Sequence, residues 1–381
     1  MKTTTNATAA VRIDLDLLKK TTVHLVIFGH GNVGGSLIRQ LLAKRSQLFE
    51  NNDLDLKIIA IANSKVVLLS EHGATLDWEQ TKEDFGTEYS FESILEFVKN
   101  GKFENLIAVD NTADEYLVRQ YERLVNAGFH LISSNKKANT KSFAFYQQLR
   151  ETLQKQNKKY LYETNVGAGL PLINTIALLH ASGENITKIR GVFSGSLSYI
   201  FNTFSGGQQT FSEVLKEAIE QGLTEPDPRD DLGGMDVARK LLILARELDL
   251  HNELDDVSVQ NLIPKALRRK SKTEFLDTLE DLDVPFSIKK KNCRVNDVLR
   301  YVAEIFGDLS KHDGAKLSVR LKAIEKNSVI GQLSGSDTIF EIYTENYDKN
   351  PIVIQGAGAG GEVTARGVFG DILRLCEQIT S

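Results

Sequence analysis

Apolar positions in this chain first fall into short continuous runs and later into alternating ones, and that change divides it. Residues 1–22 are polar apart from a patch at 11–18, and read as an N-terminal extension. At Val23 the texture changes: Val23, Leu25, Val26, Ile27 and Phe28 make an apolar run that ends at glycines, the pattern of a buried strand. Val33, Leu37, Ile38, Leu41 and Leu42 then recur at helical spacing. Further strands are expected at 56–62, 106–109 and 130–133, with helices at 114–127, stopped by Gly128, and at 141–156. Strands alternating with helices predict an α/β unit over residues 23–158, a Rossmann-type doubly wound parallel sheet covered on both faces.

From residue 160 onward the pattern loosens. A strand is expected at 160–166, a helix at 170–180, a strand at 186–193, and helices at 197–204, 212–221 and 235–248. Residues 316–324 and 338–343 alternate apolar and polar, as half-exposed antiparallel strands do. Residues 159–350 thus read as an α+β unit with a mixed or antiparallel sheet. The last stretch, 351–381, returns to strand, glycine turn and helix, and is expected to complete the first unit. No internal repeat or low-complexity tract interrupts this order.

Composition narrows the function classes. With 381 residues, 41% hydrophobic and 25% charged, the chain has the make-up of a globular protein of two domains. Lys and Arg number 46 against 51 Asp and Glu, a formal charge of −5, which argues against nucleic-acid and anionic-membrane partners. Cys293 and Cys376 have neither metal-site nor disulfide-framework spacing, so a reducing compartment is expected. The first residues lack a secretory apolar core, and no apolar run approaches the roughly 20 residues of a membrane span. A soluble, cytoplasmic protein is the expectation.

The first candidate chemistry is Gly29-His30-Gly31-Asn32-Val33-Gly34, a G-x-G-x-x-G turn between strand and helix. Glycines there permit a tight turn and close approach to a pyrophosphate, and the helix N-terminus offers free N–H groups. The second strand ends in Ala62-Asn63-Ser64-Lys65, with no acid to hold a ribose 2′-hydroxyl. That end can take a 2′-phosphate, which puts NADP level with NAD, unless Lys65 is only a solvated charge. Asp110-Asn111-Thr112 and Ser134-Asn135-Lys136-Lys137 follow the next strands, at the ends where open α/β sheets bind ligands. A lysine there either holds a substrate carboxylate or is plain surface.

The densest chemistry lies in 225–240, where Glu225, Asp227, Asp230 and Asp231, two prolines and two glycines lead into a helix bearing Asp236 and Lys240. Asp236 and Lys240 are four apart, hence on one face. They are an exposed ion pair, or they belong to a site in which carboxylates hold a substrate ammonium and a lysine moves a proton. The stretch 163–171 carries glycines beside carbonyls that can converge on a hard cation or the substrate, and Ser194-Gly195-Ser196-Leu197-Ser198 offers hydroxyls and amides. Helix capping accounts for either stretch equally. No His/Cys cluster points to zinc, and no nucleophilic triad order is present.

Together these blocks resemble the homoserine dehydrogenases. The resemblance covers residue 23 to the C-terminus: the 29–34 turn, Asn135-Lys136-Lys137-Ala138, Tyr162-Glu163 with Val166-Gly167-Ala168-Gly169-Leu170-Pro171, residues 194–202 and 224–240, and Gln355-Gly356-Ala357-Gly358-Ala359-Gly360. The 224–240 block is its most specific part. It implies reversible NAD(P)-dependent interconversion of L-aspartate 4-semialdehyde and L-homoserine, toward threonine and methionine. It assigns proton transfer to Lys240, homoserine binding to Glu225, supporting roles to Asp231 and Asp236, and an active-site place to Lys136. Cofactor contacts fall to Gly29, Gly31, Asn32, Val33, Gly34, Asn111, Thr112 and Lys136. A monovalent cation, usually sodium, is implied at Glu163, Val166, Ala168 and Leu170, largely through main-chain oxygens.

The resemblance also implies a homodimer paired through strands of residues 159–350, making that unit catalytic and dimerising. Two departures stand out: Ser133-Ser134 replaces Thr-Pro and is expected to loosen its loop, and Gly233 replaces Ser or Asn and is expected to add freedom. The chain reads as a monofunctional enzyme or as the dehydrogenase portion of an aspartokinase fusion. Its rivals are another NAD(P) dehydrogenase of a small amino or hydroxy acid, and a non-catalytic nucleotide-binding protein.

Overall fold

A computed structural model describes residues 20–380, so the 11–18 patch lies outside the described residues. The first apolar run becomes β1 (Thr21–Phe28), buried from Val23 onward. It pairs in parallel with β2 (Leu54–Ala62) and β5 (Leu106–Asp110). β6 (His130–Ser133) and β7 (Tyr160–Leu161) extend the parallel set. β3 (Val66–Leu69) and β4 (Thr87–Glu88) add an antiparallel edge beyond β2. The order β4-β3-β2-β1-β5-β6-β7 runs outward both ways from β1. The crevice beyond the carboxyl ends of β1 and β5 is therefore where a doubly wound sheet binds ligands.

Helices cover both faces. On one, Leu37, Ile38 and Leu41 of helix Asn32–Asn51 meet Val23, Leu25 and Ile27, and the C-terminal helix Gly361–Thr380 adds Ala365, Val368, Phe369 and Ile372. On the other, Ile94, Val118, Leu124 and Leu149 cover Val26, Phe28 and Ala108.

The second sheet holds β8 (Ile186–Val192), β9 (Ser258–Val259), β10 (Asp297–Gly307), β11 (Ala315–Glu325), β12 (Asp337–Thr344) and β13 (Ile352–Ala357). Its order is β13-β12-β8-β10-β11-β9, antiparallel except at β9. Helices Gly195–Gly206, Phe211–Glu220 and Met235–Arg246 pack on one face around Phe201, Leu215, Leu241, Tyr301 and Phe340. Residues 352–357, expected with the first sheet, instead pair with β12, because their alternating side chains complete the second core. Only the helix beyond the glycine turn returns to the first sheet.

Other elements also differ from the pattern. The helix expected at 114–127 is two short helices, Glu115–Val118 and Tyr121–Asn126. The strand expected at 160–166 stops at Leu161 and becomes a 3-10 turn, Glu163–Asn165. Asn165 causes that bend, since its amide donates to the Ser133 carbonyl at 2.8 Å across the end of β6.

The C-terminal helix brings a buried acid to this turn. Asp371 accepts the Glu163 N–H at 3.0 Å and pairs with Arg374 at 2.8 Å. Burial pushes its carboxyl up to about 7, against the opposing pull of Arg374. The native state therefore keeps a proton that the unfolded chain releases near its ordinary 3.8. Between those two values the native form binds more protons, so this group's stability contribution falls as pH rises. The expected result is a melting temperature whose drop from pH 5 to pH 8 is smaller in Asp371→Asn than in the unmodified protein. Parallel pH profiles would remove Asp371 from that account.

Candidate active site

The turn after β1 is built for close backbone approach. Gly29 has φ +82°, and a Cβ there would lie 2.8 Å from Thr112 Cγ2. A Cβ on Gly34 would lie 1.9 Å from the Gly29 carbonyl oxygen, so the helix can start this close to the strand only with glycine at both places. Gly31 is different, because a Cβ there meets nothing within 4 Å. Its space faces the crevice. Gly31 caps helix Asn32–Asn51 without a side-chain bond and with no acid in the first turn. The first helical bond is Gly35 N–H to the Gly31 carbonyl, which leaves the amides of Asn32, Val33 and Gly34 to a ligand.

A cavity of about 630 Å³ opens there, lined by Gly29, His30, Gly31, Asn63, Asn111 and Thr112 among others. Beside it the side-chain amide nitrogen of Asn111 is buried with no hydrogen-bond partner among the described residues. An unfilled donor, free helix-start amides and an open Gly31 fit a dinucleotide. At the far end Asn63 caps the β2–β3 turn, accepting from the amides of Lys65 and Val66, while its Nδ2 lies 3.0 Å from His30 Nε2. Lys82 Nζ lies 3.3 Å from the same nitrogen. Burial and then Lys82 hold the His30 imidazole below its usual range. Lys65 is exposed, whereas Lys82 reaches His30 at this pocket end from helix Trp78–Phe85, outside every motif that the sequence pattern singles out.

Asp110, at the end of β5, organises the neighbouring loops. Its carboxylate accepts from Thr112 N–H at 2.7 Å, Tyr121 hydroxyl at 2.7 Å and Asn135 Nδ2 at 3.0 Å. Burial raises its carboxyl, opposed by these donors. Asp110 stands where the strand-end pattern places candidate chemistry, and its part is to hold these loops. Ser133 does not loosen the loop. Its buried hydroxyl accepts from Asn135 N–H at 2.9 Å and lies 3.0 Å from the Tyr121 hydroxyl, and Ser134 Oγ donates to Asn111 at 3.2 Å.

These bonds set Lys136 facing the second unit. Lys136 Nζ lies 3.3 Å from Asp236 Oδ1, and Lys240 Nζ lies 2.9 Å from Asp236 Oδ2. A segment following β6 and a helix of the second unit thus contribute to one cluster. The two ammoniums hold the Asp236 carboxyl well below the usual carboxylate range, despite the opposing effect of burial. Lys240 is only 12% exposed and also donates to the Phe193 carbonyl at 2.9 Å. An ammonium has three donors, so one N–H of Lys240 remains for a further oxygen.

Local backbone explains the aim of this helix. Gly234, at φ +77°, turns the chain from helix Pro228–Leu232 into Met235–Arg246, and a Cβ there would lie 2.1 Å from the Tyr301 hydroxyl. Gly233, expected to add freedom, sits in ordinary helical backbone with its N–H bonded to the Arg229 carbonyl. Asp231 accepts from Ser196 Oγ at 2.6 Å and from Glu225 N–H at 2.8 Å. It therefore fixes the loop that presents Glu225, whose own side chain stays exposed. Burial raises the Asp231 carboxyl, opposed by the Ser196 bond.

The 163–171 loop is the candidate cation holder. Gly167 and Ala168 both have positive φ, +81° and +53°, so the loop turns sharply here. Among the described residues the carbonyls of Val166 and Ala168 accept no main-chain hydrogen bond, whereas those of Glu163 and Leu170 accept Val166 N–H at 3.4 Å and Leu172 N–H at 2.9 Å. The Glu163 carboxylate is engaged elsewhere, by Ile173 N–H at 2.7 Å and by Arg374 at 3.5 Å. Carbonyl oxygens without a side-chain ligand suit a weakly demanding hard cation, and no His/Cys/Asp/Glu cluster for a metal occurs among the described residues.

Comparisons with known proteins agree with this arrangement. Residues 171–373 match the family model described as homoserine dehydrogenase, and residues 29–163 match that of the homoserine dehydrogenase NAD binding domain. The homoserine dehydrogenase of Schizosaccharomyces pombe is 34% identical over 94% of this chain and 97% of its own length. A bifunctional aspartokinase/homoserine dehydrogenase of Zea mays is 43% identical over 94% of this chain, which spans only 39% of that longer protein. A crystal structure of a Candida auris protein of unknown function superposes with a TM-score of 0.84 at 34% identity, covering 94% of this chain and 99% of that one. A hyperthermophilic archaeal homoserine dehydrogenase in complex with NADPH shares the fold, with TM-score 0.70 and 24% identity over 94% and 98% of the two chains. The chain belongs to the homoserine dehydrogenase family.

Proposed function

We propose that this chain catalyses reversible NAD(P)-dependent reduction of L-aspartate 4-semialdehyde to L-homoserine. The observation that carries the reading is the Lys136–Asp236–Lys240 cluster, where the nucleotide-binding sheet and the second unit meet. When bound, the nicotinamide supplies or accepts the hydride. Lys240 donates a proton from its unengaged N–H to the oxygen that gains charge at the reacting carbon. Asp236 keeps Lys240 oriented and, with Lys136, balances charge as that proton leaves. Glu225 and Asp231 place carboxylates for the substrate ammonium. Thr112, Asn111 and the amides after Gly31 hold the dinucleotide in near-attack position.

The acid-free end of β2 and the cation at Lys82 support NADP(H) as the preferred cofactor. The Val166 and Ala168 carbonyls support a sodium ion as a structural partner of the 163–171 loop. A homodimer is supported by the face of the second sheet that lies opposite the helices packed around Phe201 and Leu241 among the described residues. That face carries the Arg190–Glu341 and Lys322–Glu304 pairs beside exposed Phe306 and Val353. No helix among the described residues is long and apolar enough to cross a membrane, and Cys293 and Cys376 form no disulfide, which suits a cytoplasmic enzyme.

One preparation tests these readings. Absorbance of the reduced nicotinamide should grow with homoserine far faster than with serine, threonine or malate, faster with NADP than with NAD, and faster with sodium present. Light scattering should report twice the 42.4 kDa chain mass. Lys82→Ala should lower the NADP-over-NAD preference about tenfold, the size of one lost charge-assisted phosphate contact. Malate or serine outpacing homoserine would favour a different dehydrogenase, and cofactor binding without hydride transfer would favour a nucleotide-binding protein.

A further inference from the structure

The reaction above requires Lys136 and Lys240 to keep a fixed separation, although they stand on different helices, one beyond β6 and one packed on the second sheet. Asp236 joins them directly but is itself half-exposed, and a pair of that kind fixes geometry weakly. The other end of the same helix is tied more firmly. Glu247 follows helix Met235–Arg246 in helical backbone, seven positions beyond Lys240, and so lies two turns along on the same face. Its carboxylate accepts from the Tyr162 hydroxyl at 2.5 Å, and that hydroxyl accepts from Arg150 Nη2 at 2.9 Å. Arg150 Nη2 also donates to Asn139 Oδ1 at 2.9 Å.

Asn139 lies on helix Lys137–Thr140, which begins directly after Lys136. Its carbonyl accepts from Arg246 Nη1 at 2.8 Å, and its amide donates to Asn165 at 2.9 Å. Asn139 and Arg246 are 1% and 2% exposed. The contacts close a ring that runs from Lys136 through Asn139, Arg150, Tyr162 and Glu247 to Lys240, and back through Asp236. The Tyr162–Glu247 joint thus bears on where Lys240 sits relative to Lys136, alongside the direct Arg246–Asn139 bond.

We propose that Tyr162 and Glu247, held by Arg150, are positioning residues that set the Lys136–Lys240 separation from the far end of the catalytic helix. This rests on the dehydrogenase reading, so turnover of the unmodified enzyme is measured first, and its absence counts against that reading alone. Tyr162→Phe removes one hydroxyl and keeps the ring packing. It should lower kcat about tenfold, within the known cost of sub-ångström misplacement, while the KM for homoserine and the affinity for NADP+ stay within about twofold. Glu247→Gln, which keeps an acceptor oxygen, should retain most of the turnover, whereas Glu247→Leu should match Tyr162→Phe.

In a Lys136→Ala background, adding Tyr162→Phe should cost almost nothing further, because the separation being set no longer matters. Unchanged kcat in Tyr162→Phe overturns the proposal. So does an equal loss with and without Lys136, or a loss of NADP+ binding in both Tyr162→Phe and Glu247→Gln, since each marks a merely structural joint.

Discussion

Lys240→Ala is expected to lower kcat by about 10²-fold or more, the usual size of a lost acid–base contribution, and to leave NADP+ affinity largely intact. The reasoning is local. Lys240 is engaged by Asp236 at 2.9 Å and by the Phe193 carbonyl at 2.9 Å, neither of which belongs to the nucleotide cavity. Removing its ammonium deprives the developing alkoxide of a proton donor and leaves the phosphate-binding amides untouched. Asp236 would still pair with Lys136, so the loss should appear in kcat more than in folding. Isothermal titration with NADP+ beside steady-state rates checks both halves. A variant with near-normal turnover would take Lys240 out of the mechanism.

Gly34→Ala should lower NADP+ affinity by about 10²-fold, toward the upper end of what overpacking in a rigid turn costs. The added carbon would lie 1.9 Å from the Gly29 carbonyl oxygen, a main-chain atom that cannot rotate aside. The helix start must retreat from the strand, and the amides of Asn32 and Val33 retreat with it. Gly31→Ala provides the contrast. Its new carbon meets no protein atom within 4 Å, so the melting temperature should hold while affinity still falls, because the methyl occupies the path of the pyrophosphate. If Gly31→Ala bound NADP+ normally, the pyrophosphate would have to lie elsewhere.

Much of the first sheet was legible because its strands are apolar on both faces and stop at glycines or turn residues. β1, β5 and β6 fall within two residues of their expected bounds at each end. In the second sheet β11 was legible because one face is largely exposed, whereas β12, expected to be half-exposed, is buried on both faces from Thr338 to Ile342, where Thr338 and Glu341 are polar by type but covered. β10 was missed because residues 299–303 are buried on both sides, including Arg300, whose guanidinium donates to the carbonyls of Gly331 at 2.8 Å and Ile330 at 3.2 Å. A charged residue that satisfies itself on main-chain oxygens leaves no periodic trace.

The candidate site followed the same division. Residue types and spacing singled out Asp236, Lys240 and the glycine turn, because their chemistry is local in sequence. Tyr121, Arg150 and Glu247 were silent, since each acts through partners distant in sequence, as Glu247 does with Tyr162, 85 positions earlier. The fate of residues 352–357 depended likewise on pairing with β12, a contact that strand pattern alone does not choose.

The central claim is that Lys240 and the nicotinamide face each other across one crevice between the two sheets. A crystal structure of the enzyme with NADP+ and homoserine tests it most directly. The expected result puts Lys240 Nζ within about 2.6–3.2 Å of the homoserine side-chain oxygen, with the nicotinamide C4 against the carbon that bears it. A nicotinamide lying away from Lys240, with homoserine bound on another surface, would contradict it.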